Sequence, residues 1–351
     1  MQLKDLLYLM VEKKASDLHI TVGLPPQLRI DGKLILLEYP AFKPEETREL
    51  AYSFLTEDQK KIFEEKKELD ASVGMKDLGR FRMNVYKQRG SIGLAVRLIP
   101  FNVPQLEELG LPRAAKIFAD KPSGLVLVTG ATGSGKSTTL ASMIEYVNSR
   151  RSCHIVSIED PIEYLHKHKM STINQRELGT DTTSFCEAIK HVFRQDPNIV
   201  LIGELRDLET MQGALTLAET GHLILATLHS IDSVHAISRI VDIFPSHHQQ
   251  QVRVQLSMVL VGIIVQQLIP RKDGKGRVLA IEVMNVISAI QNLIRENNLP
   301  QIYSLIQMGK KYDMCTMNQS LSDLYNKGLI TWEDACSRST NPQELMTLVR
   351  R

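Results

Sequence analysis

The sequence predicts an α/β protein of two domains, a compact N-terminal α/β unit followed by a larger, mostly parallel α/β core with a helical appendage. Three observations carry this. The chain has 351 residues, past the roughly 250–300 at which a single hydrophobic core stops growing. From about residue 113 onward, short apolar runs alternate with longer helical stretches, the pattern of a parallel sheet covered on both faces. Between the two halves Pro100, Pro104 and Pro112 cluster, and their fixed φ and missing donors discourage regular structure.

The elements follow in order. Leu3, Leu6, Leu7, Met10 and Val11 fall at helical spacing, Ser16-Asp17 punctuates, and Leu18-His19-Ile20 begins a strand. Gln27 to Ile30, Asp31-Gly32 and Lys33 to Leu37 give a hairpin signal, because Asp-Gly tolerates the positive φ of a two-residue turn. A Lys/Glu-rich stretch near 44–68 predicts helix, and Arg80 to Tyr86 and Ile92 to Ile99 predict two further strands. The first domain is thus placed at 1–98 and an interdomain linker at 99–112. The core is expected over 113–286, with strands at Leu125 to Val128, Ile155 to Ile158, Ile199 to Ile202, Leu223 to Ala226 and Val278 to Ile281. The basic segment Arg271 to Arg277 reads as a solvated turn between a helix and a strand, and 287–351 as a helical region.

Composition removes several function classes. With 43% hydrophobic and 23% charged residues, the chain is neither disordered nor collagenous nor a coiled coil as a whole. Lys+Arg 42 against Asp+Glu 40 leaves a formal charge of +2, without the concentrated basic surplus of a dedicated nucleic-acid binder, so no nucleic-acid partner is expected. The N-terminal apolar residues are interrupted by charges, which predicts no secretory signal. The most apolar internal run, Met258 to Val265, is far shorter than the ~20 residues a bilayer crossing needs, so no transmembrane segment is expected. Cys153, Cys186, Cys315 and Cys336 are widely separated, which suits a reducing cytoplasm rather than a disulfide or tetrathiolate framework.

The chemistry centres on Gly130-Ala-Thr-Gly-Ser-Gly-Lys-Ser137, which fits G-x-x-x-x-G-K-[ST] and lies between an apolar strand and a helix. The glycines let backbone N–H groups face a β-phosphate, the helix N-terminus adds positive potential, Lys136 reaches β/γ oxygens, and Ser137 can ligate Mg²⁺. Thr132, Gly133, Ser134, Gly135, Lys136, Ser137 and Thr138 are the candidate ATP-binding residues. A P-loop also needs acids at the ends of neighbouring strands. Glu204, directly after Ile199 to Ile202, is the expected metal-side carboxylate, acting with Ser137 and through water. Glu163, in Ile158-Glu-Asp-Pro-Ile-Glu163, is the candidate general base. His222 and His229 flank one strand about 23 Å apart at ~3.3 Å per residue and point to opposite faces, so they share no metal. His229, at the carboxyl end, is the candidate γ-phosphate sensor.

With these motifs in this order the sequence resembles the PilT family of type IV pilus retraction ATPases, within the secretion-type hexameric ATPase superfamily, over nearly its whole length. Ala15 to Ile20, Gly23-Leu-Pro-Pro and Arg29-Ile-Asp-Gly resemble that family's N-terminal PAS-like domain. Ile158 to Glu163 resembles its Asp box, Arg194 to Asp207 its Walker B segment, and Thr220 to His229 its His box. The resemblance implies a RecA-like ATPase core and a homohexamer. It further implies ATP and Mg²⁺ as ligands and an inner-membrane pilus platform protein as partner. The location it implies is cytoplasmic, peripheral at the inner membrane. It implies a function in pilus retraction and twitching motility driven by interdomain movement. It also implies that Arg80, Arg82 and Arg97 approach the phosphates, with Arg82 and Arg97 in a catalytic role. Two departures bear on it: Asp196-Pro-Asn198 stands where the family has Asp-Pro-Asp, and Gln291 replaces the arginine of the Ala-Ile-Arg-Asn-Leu-Ile-Arg-Glu motif. Gln291 keeps open an accessory retraction paralogue. A nucleotide-dependent interaction switch with little turnover is the alternative from another class.

Overall fold

The computed structural model describes residues 2–30, 33–75, 78–99 and 102–349. The chain divides into two compact units, Met1–Asn102 and Val103–Arg351.

The first unit contains α1 (Leu3–Glu12), β1 (Asp17–Ile20), β2 (Gln27–Ile30), β3 (Lys33–Leu36), α2 (Pro44–Tyr52) and α3 (Glu57–Lys66). It is completed by β4 (Glu68–Met75), β5 (Gly79–Gln88) and β6 (Ser91–Ile99). The strands form one antiparallel sheet in the order β3-β2-β1-β6-β5-β4. The helical stretch expected over 44–68 is two helices. Thr56 starts the second by accepting from Gln59 N, while Gln59 Oε1 accepts from Thr56 N, a capping box. β2 and β3 form the expected antiparallel pair; the Asp31-Gly32 turn itself lies outside the described residues.

Alternation sorts this sheet into two faces. Leu28, Leu18, Val96, Met83 and Ala71 occupy matched positions across five strands and bury themselves against Leu6, Met10, Leu50 and Phe63 of the helices. One residue along, the matched row is Arg29, Asp17, Arg97, Arg82 and Ser72. All three candidate arginines, with Arg80 two residues before Arg82, therefore stand on the polar face.

The second unit contains α4 (Arg113–Ala119), β7 (Gly124–Thr129), α5 (Lys136–Asn148), β8 (His154–Glu159), β9 (Thr172–Glu177), α6 (Phe185–Val192) and β10 (Ile199–Ile202). Next come α7 (Leu208–Glu219), β11 (Leu223–Leu228), α8 (Ser233–Asp242), α9 (Gln249–Val259), β12 (Leu260–Pro270) and β13 (Arg277–Asn285). The chain ends with α10 (Ser288–Arg295), α11 (Pro300–Met308), α12 (Met317–Asn326), α13 (Trp332–Arg338) and α14 (Pro342–Val349). The sheet order is β13-β12-β7-β11-β10-β8-β9, parallel throughout except for the antiparallel β12–β13 hairpin. α4 and α5 cover one face, and α6 to α9 the other.

Four boundaries differ from expectation. Residues 103–112 pack onto the second unit: Leu106 is buried in its core and Pro104 O accepts from Ser142 Oγ at 2.8 Å, so this is no free linker. Of the apolar run 258–265, Met258 and Val259 end α9 and the rest opens β12, which makes 271–276 a hairpin loop rather than a turn between a helix and a strand. β9, too polar on its outer positions to read as a buried strand, closes the sheet edge. The C-terminal helices are not a separate appendage, since Ile290, Ile294, Ile302, Ile306 and Leu321 share one apolar core with the sheet. Among the described residues no helix is long and apolar enough to cross a membrane.

One ion cluster fixes the long connection between β8 and β9. Glu145 of α5 receives Lys169, Asn148 Nδ2 at 3.3 Å and the His166 ring at 3.3 Å. Partial burial pushes its carboxyl up, but the His166, Lys169 and Asn148 hydrogen bonds outweigh that and hold it at about 2. A carboxylate held below its unfolded value of about 4.5 stabilises the fold above that pH, and the contribution is lost as pH falls through about 2. Glu145→Gln should therefore lower stability at pH 7 by about 1–2 kcal/mol, allowing for solvent screening. In urea titrations from pH 7 to pH 2, its deficit against wild type should shrink below pH 4.5. A deficit independent of pH would exclude the ionised carboxylate as the cause.

Candidate nucleotide site

β7 is fully buried and delivers the chain at Thr129 to the loop 130–135 and then α5. Gly130 has φ +142°, and a Cβ there would meet Gln266 O of β12 and lie 2.7 Å from Ser134 Oγ, so the loop can pass only as glycine. Gly135 caps α5 at φ +91°, which puts Lys136 at the first helical position. Lys136 is 9% exposed and its Nζ donates to Gly130 O at 2.9 Å and Ala131 O at 3.0 Å. Burial pushes its pKa down, and the charges of Glu204 and Glu163 pull it back up. Ser137 follows it, half-buried, and Thr138 Oγ1 lies 3.0 Å from Tyr164 Oη, joining α5 to the segment that carries Glu163.

Parallel register brings the second group together. β10 and β11 pair with Ile202 opposite Ala226. Past them, Thr227 Oγ1 donates to Gly203 O at 2.5 Å and Leu205 N to Thr227 O at 3.0 Å. This zipper sets Glu204 beside His229, with Nε2 to Oε1 at 3.4 Å, while Arg206 Nη2 reaches Glu204 Oε2 at 2.6 Å. Partial burial pushes the Glu204 pKa up, but the Arg206 hydrogen bond, His229 and Lys136 bring it below the ordinary value, so the carboxylate is ionised. Behind His229, Arg239 Nη1 donates to its carbonyl at 2.8 Å, and Thr129 Oγ1 bonds Ser230 O at 3.1 Å and Oγ at 2.8 Å.

Glu163 is exposed, in a loop pinned by Ile162 N donating to Glu177 Oε2 at 3.2 Å. The neighbouring Glu159 is instead absorbed into the fold, its Oε1 accepting from Ser157 Oγ at 2.5 Å and Gln175 Nε2 at 3.2 Å. His222 sits in the turn before β11 with Nδ1 3.0 Å from Leu217 O, the hydrogen-bonded role a lone histidine ordinarily fills. Asn198 lies before β10, at the end opposite Glu204, and its Oδ1 accepts from His154 N at 2.8 Å. The Asp-to-Asn departure there thus clamps two strand starts and is remote from Glu204.

The second unit therefore groups Lys136 with Glu204, His229 and Glu163. Arg80, Arg82 and Arg97 stand on the sheet face of the first unit. There Arg97 Nε donates to Asp17 Oδ1 at 2.7 Å, and Arg82 Nε is 3.9 Å from Asp70 Oδ1. Desolvation pushes the nearly buried Asp17 up, but hydrogen bonds from Ser16 and Arg97 and the charges of Arg97 and His19 leave it lowered and ionised.

Sequence reasoning missed part of the cleft. A space of about 680 Å³ is bounded by 130–134 and His229, and also by Ser230, Gln266, Leu268, Arg277 and the segment 337–340. Among the described residues, the buried Ser134 Oγ and Gln266 Oε1 have no hydrogen-bond partner, although both residues border this space. Gln266 was legible only as a polar residue ending an apolar run.

Comparison with known proteins gives the family. Residues 2–336 match the family described as Type II/IV secretion system protein. The type IV pilus retraction ATPase PilT of Pseudomonas aeruginosa is 45% identical over 98% of this chain and 99% of its own. The type IV pilus ATPase PilU of the same organism is 42% identical over 100% of this chain and 92% of its own. Among solved structures, the pilus retraction motor PilT with bound ADP superposes with a TM-score of 0.93 at 49% identity, covering 99% of both chains. The N-terminal sheet domain, the RecA-like core and the near end-to-end identity agree: the chain belongs to the PilT family of type IV pilus retraction ATPases.

Proposed function

We propose that this chain is a Mg²⁺-dependent ATPase that drives type IV pilus retraction, and with it twitching motility, as a homohexamer whose two domains move against each other on hydrolysis. It would work in the cytoplasm against an inner-membrane platform protein. The observation that carries this reading is the convergence of Lys136, ionised Glu204, His229 and Glu163 on one phosphate loop at the carboxyl ends of a parallel sheet.

Backbone N–H groups of 132–138 at the start of α5 receive the phosphates, and Lys136 transfers its donors from the Gly130 and Ala131 carbonyls to β/γ oxygens. Among the described residues no group of three or more His, Cys, Asp or Glu side chains could hold a metal. One hydroxyl and one ionised carboxylate suit Mg²⁺, which keeps most of its waters and binds chiefly to substrate oxygens. Ser137 and, through water, Glu204 would hold it; bound there, it neutralises charge on the phosphates. Glu163, exposed at the carboxyl end of the sheet, orients and deprotonates the attacking water. His229 reports the γ-phosphate to Glu204 through their contact. Arg82 and Arg97, with Arg80 as a binding residue, offset charge on the transferred phosphoryl group.

A second reading, an accessory retraction ATPase, is favoured by one residue. Gln291 on α10 lines a cleft with Met258 and Glu219 at the amino end of the sheet, remote from the phosphate loop, and lacks the fork of an arginine. It would alter mechanical coupling while leaving hydrolysis intact.

The test is steady-state ATP hydrolysis with Mg²⁺, with mass by light scattering in the same buffer. A hydrolysing species near six protomers supports the motor; a monomer that binds ATP without turnover supports either the switch alternative or a ring that assembles only on its membrane partner. Lys136→Ala should abolish nucleotide binding and turnover. Glu163→Gln should bind ATP within a few-fold of wild type while kcat falls about 10²–10⁴-fold; normal hydrolysis would remove Glu163 as the base. Arg82→Ala should lower kcat tenfold or more with little change in nucleotide affinity; unchanged kcat would return it to a surface pair with Asp70.

A further inference from the structure

The strand face of β13 that meets the main core carries Ala280, Glu282 and Met284, so a carboxylate sits where the pattern calls for a third apolar side chain. Glu282 is 2% exposed. A carboxylate so placed costs stability unless donors surround it. Its Oε1 accepts from Ser233 N at 2.8 Å and Ser233 Oγ at 2.7 Å, and the main-chain amide of Met317 adds a weaker electrostatic contact that favours the charged form.

Ser233 and Met317 are the first residues of α8 and α12. In both helices the capping side chain serves the third amide: Asp232 Oδ1 accepts from His235 N, and Thr316 Oγ1 from Gln319 N. The first amide of each is left to Glu282. Burial pushes the Glu282 pKa up even against these donors, and this one buried carboxyl group lies at the N-terminal ends of two helices and joins them.

Each helix leads to the cleft from a different side. α8 follows the short segment 229–232, whose His229 meets Glu204 at 3.4 Å. At the second position of α12, Asn318 is 1% exposed; its Oδ1 accepts from Ser339 Oγ at 2.7 Å and its Nδ2 donates to Asn341 O at 3.1 Å. That holds the 337–340 segment bordering the phosphate loop.

We propose that Glu282 is a positioning residue for ATP turnover: by joining the first turns of α8 and α12 it fixes His229 against Glu204 and makes the His229 segment move with the C-terminal helices. This rests on His229 acting in turnover, as proposed above. Glu282 touches no nucleotide and acts only through Ser233 and Met317. Glu282→Gln keeps the volume and can still accept from Ser233, but it brings an NH₂ into a site furnished with donors.

The experiment measures kcat and KM for ATP, ADP affinity and thermal midpoint for full-length Glu282→Gln and Ser233→Ala, each in the wild-type and His229→Ala backgrounds. Ser233→Ala removes one donor and leaves the carboxylate paired, so it reports even where Glu282→Gln folds poorly. The expected result is a fall in kcat of about tenfold for Glu282→Gln and a few-fold for Ser233→Ala. KM and ADP affinity should stay within about threefold, and neither substitution should lower kcat further once His229 is alanine. Unchanged kcat in both variants overturns the inference, as does a loss that multiplies with that of His229→Ala or that moves KM and kcat together. His229→Ala alone tests the underlying reading: wild-type turnover there removes the role of His229, and a loss confined to Glu282→Gln would then be structural.

Discussion

A cation is held nearly out of water at the positive end of a helix, and the rest of the second unit is arranged around that unfavourable position. Lys136 occupies the first position of α5, where unpaired amides already concentrate positive potential. Among the described residues its ammonium donates to two loop carbonyls, with Glu204 and Glu163 as the compensating charges. A polyphosphate resolves the excess: it supplies anionic oxygens to the amides and the ammonium at once. The buried Ser134 Oγ and Gln266 Oε1 beside the loop, without a hydrogen-bond partner among the described residues, are further groups that a polar ligand or its water can satisfy.

Compensation requires the acids to arrive at a set height, which parallel pairing provides. β7, β11, β10 and β8 run the same way, so the residues after each strand gather at one edge. The Thr227–Gly203 and Leu205–Thr227 bonds extend the pairing past the strand ends and bring His229 to Glu204. This much was legible in the sequence, because a glycine-rich loop after an apolar strand and an acid directly after a second strand are local patterns. β12 was not. Leu260 to Val265 is an apolar run that periodicity cannot assign to helix or strand, and what decides it is pairing with β7 on one side and β13 on the other. Once β12 is a strand, Gln266 is carried under the phosphate loop and donates to Thr139 of α5 at 2.7 Å, a contact across 127 residues that no local pattern announces.

The first unit shows the same limit in another form. Each arginine on its polar sheet face looks in sequence like a solvated strand residue, and the reason to single out Arg80, Arg82 and Arg97 came from resemblance alone. The fold adds a physical distinction among them. Arg97 is 69% exposed at its side chain yet gives its Nε to a 9% exposed Asp17 carboxylate, which holds the stem and leaves the two terminal amines for another anion. Arg82 has a looser and more exposed aspartate neighbour. Ser16-Asp17 was legible only as punctuation, since its partner lies 80 residues away.

Buried polar residues on the β12–β13 hairpin are the least legible feature and the most restrictive one. An apolar side chain in place of Glu282 would suit the core, but it would leave the first amides of α8 and α12 without this acceptor. Either helix moving alone would strip partners from a carboxyl group that is 2% exposed, whereas both moving with β13 keeps them. The low-cost displacement is therefore a joint one. On the proposed role of Glu282, the C-terminal helices, the 337–340 segment held by Asn318, and the His229 segment would move as one body facing the phosphate loop.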